Sequence, residues 1–191
     1  MINIESGCCF TGYRPEKFKF RFNTSEPQYV QLVSRLLGGI TKKIELGCRV
    51  FYTGMARGFD ILAAEQVATL KLRRHDIKLI AVIPFRDMEK SFPPEWRERF
   101  DRVIEECDEV VILNERYEKW VYAQRNEYMV DRSRHVICYF DGSKGGTANT
   151  VRYALANRRE VTNICEVNPL KDDITEYKAF YKLIPPDEDD E

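Results

Sequence analysis

The chain has 191 residues, of which 43% are hydrophobic and 32% charged, a composition typical of one folded domain with a substantial core. No apolar stretch approaches the roughly 18 residues that a membrane-spanning helix needs, and the amino terminus lacks the basic start and apolar run of a secretory signal. These features predict a cytoplasmic protein without a membrane segment. The formal net charge is −1, and because residues 187–191 are all acidic, the rest of the chain carries +4, which suits an anionic ligand without requiring nucleic acid.

The six cysteines indicate neither disulfides nor a metal centre. Most of them lie in or beside apolar runs, where a free thiol behaves as a small hydrophobic side chain. The sequence contains no C-x-x-C pair, so the spacing typical of zinc ligands is absent. We therefore expect reduced cysteines with a structural role and no metal site.

Short apolar runs rich in β-branched residues alternate along the chain with longer segments of helical periodicity. The predicted strands are Cys8–Thr11, Val50–Thr53, Lys78–Ile83, Glu109–Leu113, His135–Phe140 and a weaker Asn163–Val167. The predicted helices cover residues 25–46, 59–74, 93–106, 121–132 and 147–158, with a last helical stretch at 171–184. Most of the strands are apolar on both faces, as parallel strands covered by helices on either side are.

These elements predict an α/β fold, a single Rossmann-like doubly wound domain whose mainly parallel sheet of about five to seven strands carries helices on both faces. We expect this domain to cover residues 1–184. The acidic residues that follow two prolines predict a disordered tail at 185–191. In an open parallel sheet the carboxyl ends of the strands share one edge, where ligands bind, so the turns that follow the strands form the candidate site.

The turn after the second strand, residues 53–60, reads T-G-M-A-R-G-F-D. Its glycines let the backbone approach a ligand closely, and the first N–H groups of the following helix point towards such a ligand. Arg57 adds a charge-assisted contact to phosphate. The alternative is a tight chain reversal in which Asp60 only caps the helix, and the local pattern does not decide between the two.

Two further turns repeat this design. Residues 141–147 read D-G-S-K-G-G-T and precede a helix, although the residue order of a Walker A loop is absent. Residues 11–15 read T-G-Y-R-P, with Arg14 shortly after the first strand. The recurrence of glycine-containing turns on one sheet edge favours a phosphate-bearing ligand over coincidence.

Residues 17–22 alternate basic and aromatic side chains, K-F-K-F-R-F. Such a segment can be a stacking platform for single-stranded nucleic acid, with Lys17, Lys19 and Arg21 on the phosphates. The favoured interpretation is an extended segment whose phenylalanines face the core and whose cations face water, because any half-buried strand shows this alternation.

Arg125 and Asn126 lie in the helix before the fifth strand. An arginine with a neighbouring amide can hold a ribose or a phosphate, and the alternative is a solvated helix face. Trp96, Tyr117 and Trp120 can stack on a base, although large aromatic side chains more often belong to the core or its rim.

These motifs together resemble one superfamily. Residues 53–60 look like the S-G-x-A-x-G-I-D turn of the Smf/DprA proteins, and R-N-x-x-M at 125–129 followed by G-G-T at 145–147 is similar to the R-K-x-x-M and P-G-G-x-G-T patterns of the LOG-type phosphoribohydrolases. From residue 8 to about 156 the chain resembles the YpsA-like branch of this SLOG superfamily, through its T-G-Y-R-P start, its A-R-G-x-D turn, Pro84-Phe85, Trp96 and Cys107-Asp108. The resemblance implies a Rossmann-like fold that binds a nucleotide or nucleotide-derived ligand at the strand edge.

The resemblance leaves catalysis open. LOG enzymes follow their glycine turn with a glutamate pair used in N-glycosidic cleavage, whereas here Thr147 is followed by A-N-T and the turn lacks the intervening x-G. A substitute acid or base would have to be Glu127, Asp60 or Asp141. The first hypothesis is therefore a nucleotide-binding sensor or regulatory module. The alternatives are a LOG-like enzyme that cleaves the N-glycosidic bond of a nucleoside monophosphate, and Smf-like binding of single-stranded DNA.

The candidate ligand-binding residues are Gly12, Arg14, Thr53, Gly54, Met55, Arg57, Gly58, Asp60, Arg125, Asn126, Gly145, Gly146 and Thr147. Backbone amides near the glycines and the hydroxyl of Thr147 would bind phosphate, and the arginines would neutralise its charge. Asp60 would cap its helix or accept a hydrogen bond from a ribose hydroxyl. No catalytic residue, metal or cofactor is assigned beyond the nucleotide-type ligand. A nucleotide-derived small molecule is the expected partner, nucleic acid is an alternative, no membrane partner is expected, and a homodimer is left open.

Overall fold

A computed structural model of the protein describes residues 4–167, with a sheet of six parallel strands at its centre. The strands are β1 (Gly7–Thr11), β2 (Val50–Thr53), β3 (Lys78–Ile83), β4 (Glu109–Ile112), β5 (His135–Cys138) and β6 (Glu160–Asn163). The helices are α1 (Pro27–Glu45), α2 (Phe59–Lys71), α3 (Pro94–Glu106), α4 (Val121–Asp131) and α5 (Gly146–Ala156). Short 3₁₀ turns occur at Ile4–Ser6, Pro15–Lys17 and Met88–Ser91.

The strands lie in the order β4-β3-β2-β1-β5-β6. From β1 the chain steps outward through β2 and β3 to β4, then returns to place β5 on the other side of β1. Right-handed crossovers in these two directions put α1, α2 and α3 on one face of the sheet and α4 and α5 on the other, and helices that share a face pack on one another. The predicted fold class, with helices on both faces of a parallel sheet, is confirmed.

The central strands are buried on both faces. Along β1, Cys8 and Phe10 belong to the core beneath α1 to α3, whereas Cys9 belongs to the core beneath α4 and α5. The Phe10 ring stacks on Phe51 of β2, with the ring centroids 6.1 Å apart. Because burying one large apolar side chain contributes about 1.5–3 kcal/mol, these strands fix the positions from which the carboxyl-edge turns emerge.

Helix α1 shows how sequence periodicity fixes an element. It begins with Pro27 in its first turn, where the missing N–H removes no intrahelical hydrogen bond. Leu32, Leu36, Ile40 and Ile44 follow at intervals of four residues and are buried against the sheet. The helix thus buries one stripe and exposes the opposite one.

Strand β6 lies earlier in the chain than the sequence predicted. The predicted strand Asn163–Val167 is wrong, because residues 160–163 pair with β5, from His135↔Glu160 to Cys138↔Asn163. A tight turn at Arg158 (φ 58°) follows α5 and brings the chain directly to the sheet edge. The apolar residues that suggested a strand, Ile164 and Cys165, are buried after the strand has ended.

The basic and aromatic segment 17–22 is not extended. It consists of turns, with Arg21 and Phe22 at φ 45° and 61°, in the left-handed region. Its phenylalanines do face the core, as predicted, since Phe18 and Phe22 are buried and their ring centroids are 4.8 Å apart. The cations at 17, 19 and 21 are exposed.

Three further expectations concern the cysteines, membrane-spanning helices and the carboxyl-terminal segment. All six cysteines are free. Within residues 4–167 no helix combines the length and apolarity needed to cross a bilayer. The predicted helix at 171–184, the acidic tail at 185–191 and therefore the carboxyl end of the predicted domain lie outside the described residues.

Candidate functional site

The strand order reverses between β1 and β5, so the turns that follow these two strands leave on opposite sides of a crevice at the carboxyl edge of the sheet. Three turns border this region: the β1 turn (12–15), the β2 turn (54–58) and the β5 turn (141–145). The backbone carbonyl of Tyr13 accepts a hydrogen bond from the N–H of Phe59, 3.1 Å away, which joins the β1 turn to the start of α2. The hydroxyl of Tyr13 donates to the carboxylate of Asp141 and lies 2.8 Å from Ser143 Oγ. The three turns therefore form one continuous surface.

Glycines in these turns allow close approach of neighbouring segments. A Cβ at Gly54 would lie 2.6 Å from Cζ of Arg125, and a Cβ at Gly58 would lie 2.5 Å from the carbonyl oxygen of Tyr13. Gly58 also has φ 93°, which side-chain-bearing residues rarely adopt. At Gly12 a Cβ would meet the Phe59 ring at 2.4 Å. These three glycines are thus required by the packing of the turns themselves.

A buried arginine lies beneath the β2 turn. Nη1 of Arg125 donates to the carbonyl of Gly54 at 2.7 Å, and Nε donates to Oδ1 of Asn126 at 3.0 Å. Nη1 also lies 4.0 Å from Oδ2 of Asp60, and both side chains are less than a tenth exposed. Because Arg125 belongs to α4 and Asp60 to α2, this contact joins helices from opposite faces of the sheet.

The electrostatics of this pair are governed by burial. Burial raises the pKa of Asp60 to about 6, against the opposing effects of Arg125, a hydrogen bond from the N–H of Ala56 and the charge of Arg14. Burial likewise lowers the pKa of Arg125, and Asp60 opposes that shift. The Asp60 carboxyl therefore changes charge close to neutral pH, within contact distance of the β2 turn.

Two predicted site residues, Thr53 at the end of β2 and Met55 in the β2 turn, stabilise the turn. Thr53 Oγ1 donates to the carbonyl of Asp60 at 3.0 Å and accepts from the N–H of Met55 at 3.2 Å. Met55 has φ 56°, and its side chain is fully buried in the core. Both side chains therefore maintain the conformation of the turn.

A small pocket of about 70 Å³ opens in front of the β2 turn, which is room for two or three water-sized groups. Its lining residues are Arg14, Ala56, Arg57, Met88, Ser91, Phe92 and Tyr122. Each of its two arginines lies near an aromatic ring: Arg14 Cζ is 5.9 Å from the Tyr122 centroid, and Arg57 Cζ is 5.9 Å from that of Phe92. Arg57 also pairs with Glu16, at 2.8 Å. The pocket thus combines two positively charged side chains, one of which is in an ion pair, with two aromatic rings.

Sequence reasoning missed several of these pocket residues. Tyr122 precedes Arg125 by three residues in the same helix, and residues at this spacing share a helix face. Its ring centroid lies 5.7 Å from Arg125 Cζ, so helical spacing from the predicted arginine was a usable signal. Met88, Ser91 and Phe92 come from the 3₁₀ turn after β3 and its end, for which the sequence offered no comparable signal.

The start of α5 offers backbone N–H groups on the other side of Tyr13. Gly145 is the N-cap residue with φ 133°, and among the described residues no side chain caps this helix. The space where a Cβ of Gly146 would lie is open to 4 Å, and Thr147 is buried in the first turn. Lys17 reaches across to donate to the carbonyl of Lys144 at 3.1 Å. An uncapped helix N-terminus favours an anion.

The remaining candidates occupy different environments. Asp141 is held by hydrogen bonds from Tyr13 and Ser143, which outweigh the effect of burial and lower its pKa. Glu127 is exposed on α4. Trp96 is buried, with Arg99 Cζ 4.4 Å from its ring centroid, and it lies outside the pocket lining. Among residues 4–167 no group of histidine, cysteine and carboxylate side chains has an arrangement that could hold a metal ion.

A larger depression lies at the opposite, amino-terminal edge of the sheet. It is lined by Glu5, Ser6, Leu46, Gly47, Arg134, His135 and Glu160. Its arginine is already paired with both of its carboxylates, since Arg134 lies 2.8 Å from Glu160 and 3.8 Å from Glu5. Ligands of parallel sheets bind at the carboxyl edge, so the pocket beside the β2 turn is the stronger candidate despite its smaller volume.

Comparisons with known proteins agree with the resemblance of the sequence motifs to SLOG proteins. A family model described as the YspA SLOG family matches residues 8–170. YoqJ of Bacillus subtilis, described as an uncharacterized SPbeta prophage-derived protein, is 30% identical over 141 residues, which cover 67% of this chain and 82% of YoqJ. A UPF0398 protein of Bacillus thuringiensis is 23% identical over 155 residues, covering 80% of this chain and 84% of the relative.

Two solved structures share the fold. The DNA processing protein A (DprA) of Streptococcus pneumoniae has a TM-score of 0.52 at 21% identity, covering 81% of this chain and 48% of that one. DprA of Helicobacter pylori, whose structure was described for its single-stranded DNA binding mode, has a TM-score of 0.56 at 15% identity, covering 84% and 65%. This chain thus spans about half of the first structure and less than two thirds of the second.

The Gly54–Arg125 contact leads to a stability prediction. Gly54→Ala places a methyl group against the buried guanidinium, so we expect the free energy of unfolding to fall by about 1–3 kcal/mol in urea denaturation. Gly38→Ala is the matched control, because nothing lies within 4 Å of its Cβ position in α1 and alanine should stabilise the helix by about 0.5–1 kcal/mol. Equal stability of the Gly54→Ala variant and the wild type would contradict the contact.

The raised pKa of Asp60 predicts a pH dependence of stability. Between its ordinary pKa of 3.8 and the folded value of about 6, the folded protein retains a proton that the unfolded chain has released. This contribution is fully present below the ordinary pKa and is lost as the pH rises through about 6. We expect the stability of the wild type, measured relative to Asp60→Asn, to decrease from pH 4 to pH 6 and then to level off. A difference that is constant over this range would exclude titration of Asp60.

Proposed function

The chain belongs to the YspA SLOG family, and from this membership and the pocket beside the β2 turn we propose that it binds a nucleotide or another ribose-phosphate ligand as a sensor or regulatory module. The observation that carries the proposal is the pairing of two cations with two aromatic rings around one pocket at the carboxyl edge. A phosphate lies between Arg14 and Arg57, in front of the N-terminus of α2. The base contacts the ring of Tyr122 or Phe92.

The existing contacts of Arg57 permit such binding. Its partner Glu16 has a side chain that is 60% exposed, and an exposed ion pair contributes only about 0–1 kcal/mol. A charge-assisted hydrogen bond to phosphate contributes about 1.5–3 kcal/mol. Exchange of Glu16 for a phosphate oxygen is therefore favourable, and Arg57 remains close to the Phe92 ring in either state.

The carboxylates near the site favour binding over N-glycosidic cleavage. Asp60 has a pKa of about 6, which suits a general acid or base, but its side chain is buried against Arg125 and the N–H of Ala56. Asp141 has a lowered pKa and is already hydrogen bonded to Tyr13 and Ser143. A LOG-like hydrolase would need one of these two groups, or Glu127, which is exposed on α4, to reach the glycosidic bond.

The proposal also covers the cellular compartment and the oligomeric state of the protein. Six free cysteines support a reducing compartment such as the cytoplasm. We expect a small molecule as the primary ligand. The edge strand β4 exposes the apolar side chains Val110 and Ile112, which are compatible with a homodimer.

The first test is binding of adenosine monophosphate (AMP), after native mass spectrometry of the purified protein for a retained nucleotide. Arg57→Ala removes a phosphate contact, so we expect AMP affinity in calorimetry to fall about 10- to 100-fold. Arg74→Ala is the control, because Arg74 pairs with Asp76 before β3, at the opposite edge. Unchanged AMP affinity in Arg57→Ala would refute the placement of the phosphate, and release of free adenine would favour the hydrolase.

Binding of single-stranded DNA is the second candidate, favoured by the exposed cations Lys17, Lys19 and Arg21 beside the crevice. Phe18 and Phe22 are buried and Phe20 is partly buried against the core, so the contribution of the segment is mainly electrostatic. Each phosphate contact adds about 0.7 to the slope of log affinity against log salt concentration for single strands.

We expect the triple variant Lys17→Ala, Lys19→Ala, Arg21→Ala to reduce that slope by about 2 for a single-stranded oligonucleotide in fluorescence anisotropy. The matched control removes Arg73 and Arg74 at the amino edge, which should leave the slope unchanged. Absence of binding by the wild type at low salt would exclude this second function, and a wild-type slope in the triple variant would exclude residues 17–22 as its site.

A further inference from the structure

An aromatic cluster, formed by Phe85, Tyr117 and Tyr122, adjoins the candidate pocket. The ring of Phe85 lies 5.5 Å from that of Tyr117 and 6.0 Å from that of Tyr122, and the two tyrosine rings are 6.2 Å apart. Tyr122 is the member that lines the pocket and lies near Arg14. The cluster therefore continues the aromatic surface of the pocket outward along the carboxyl edge.

The outer member of the cluster is available to a ligand. Tyr117 is 53% exposed although two other rings pack against it. It lies in the loop between β4 and α4, which reads R-Y-E-K-W at 116–120, and the cations Arg116 and Lys119 of this loop are also exposed. Arg116 directly precedes the exposed ring, and Lys119 follows two residues later, after Glu118. An exposed ring with cations nearby is the combination that binds a base together with its phosphate.

The loop that carries Tyr117 is held in place by hydrogen bonds at its start. The Asn114 amide donates to the carbonyl of Pro84 at 2.8 Å and to the Gln124 side chain at 2.8 Å. The carbonyl of Asn114 accepts from the N–H of Arg86 at 3.0 Å. Arg86 forms a bidentate pair with Glu115. A ring that is positioned before the ligand arrives binds with a smaller loss of conformational entropy.

We propose that the ligand site extends over this aromatic cluster and accepts two nucleotide units joined through phosphate. One base contacts Tyr122 beside the arginines, and the second stacks on Tyr117. The inference rests on the proposed nucleotide-binding function and specifies the class of ligand. The ligand class is defined by two consecutive nucleotides, a chemistry that a free dinucleotide and the end of a single nucleic-acid strand share.

The experiment compares AMP with 5′-phosphorylated adenylyl-adenosine (pApA) and with a single-stranded oligoadenylate of ten nucleotides, by calorimetry on the full chain. Stacking of a second base on Tyr117 should make pApA bind about 5- to 100-fold more tightly than AMP. Tyr117→Ala should remove most of this advantage, and Tyr117→Phe should retain it because the ring is preserved. Leu72→Ala, at an exposed leucine outside the cluster, is the control.

The outcomes separate the two levels of the proposal. Tight pApA binding that depends on the Tyr117 ring supports the inference, with a free dinucleotide as the source if the oligoadenylate binds no better, and a nucleic-acid strand if it binds more tightly. Equal affinities of the wild type for AMP and pApA, or a pApA advantage that survives Tyr117→Ala, overturn the inference while nucleotide binding stands. If none of the three probes binds, both the inference and the proposed function fail.

Discussion

The Arg125 guanidinium holds the β2 turn in position from below, through its hydrogen bond to the carbonyl of Gly54. Removing a charge of this size from water is costly, and the cost is offset only if its donors meet acceptors in the folded state. Gly54 of the β2 turn and Asn126 of α4 supply hydrogen-bond acceptors, and Asp60 of α2 supplies a carboxylate 4.0 Å away. Breaking one partner of such a buried pair typically costs about 3–5 kcal/mol, so the turn has little freedom to move.

The contacts around this buried arginine differ in strength from those at the surface of the pocket. Tyr13 links the β1 turn to α2 by its carbonyl and to the β5 turn by its hydroxyl, and both links are at least partly shielded from water. The Arg57–Glu16 pair is far more exposed and can exchange partners at little cost. The candidate site thus combines a rigid backbone frame with more exposed side chains at its surface.

The fold could be predicted from the sequence because its signals are local and repeated, namely apolar strands, amphipathic helices and glycine turns. Strand β6 could not, because Glu160–Asn163 is polar at the sheet edge and only its pairing with β5 identifies it. In the site, the three turns were identifiable from their glycines and basic residues. The partner of each glycine was not, since the approach of Arg125 to Gly54 joins residues 71 positions apart. Phe92 was missed for the same reason, because it lines the pocket beside Tyr122 only after the sheet has formed, whereas Tyr122 could have been inferred from its helical spacing to Arg125.

The pairing of β1 with β5 also sets the order in which the crevice can form. Tyr13 and Asp141, whose side chains meet across it, are 128 positions apart in the chain. Closing so long a loop has an entropic cost that must be met before the contact contributes, and sheets built from such distant pairings fold slowly. During synthesis, β1 to β4 emerge with one long edge of β1 unpaired, and the crevice is complete only when β5 arrives. A nascent or truncated chain that ends before β5 therefore lacks the β5 side of the crevice and exposes a strand edge to other chains.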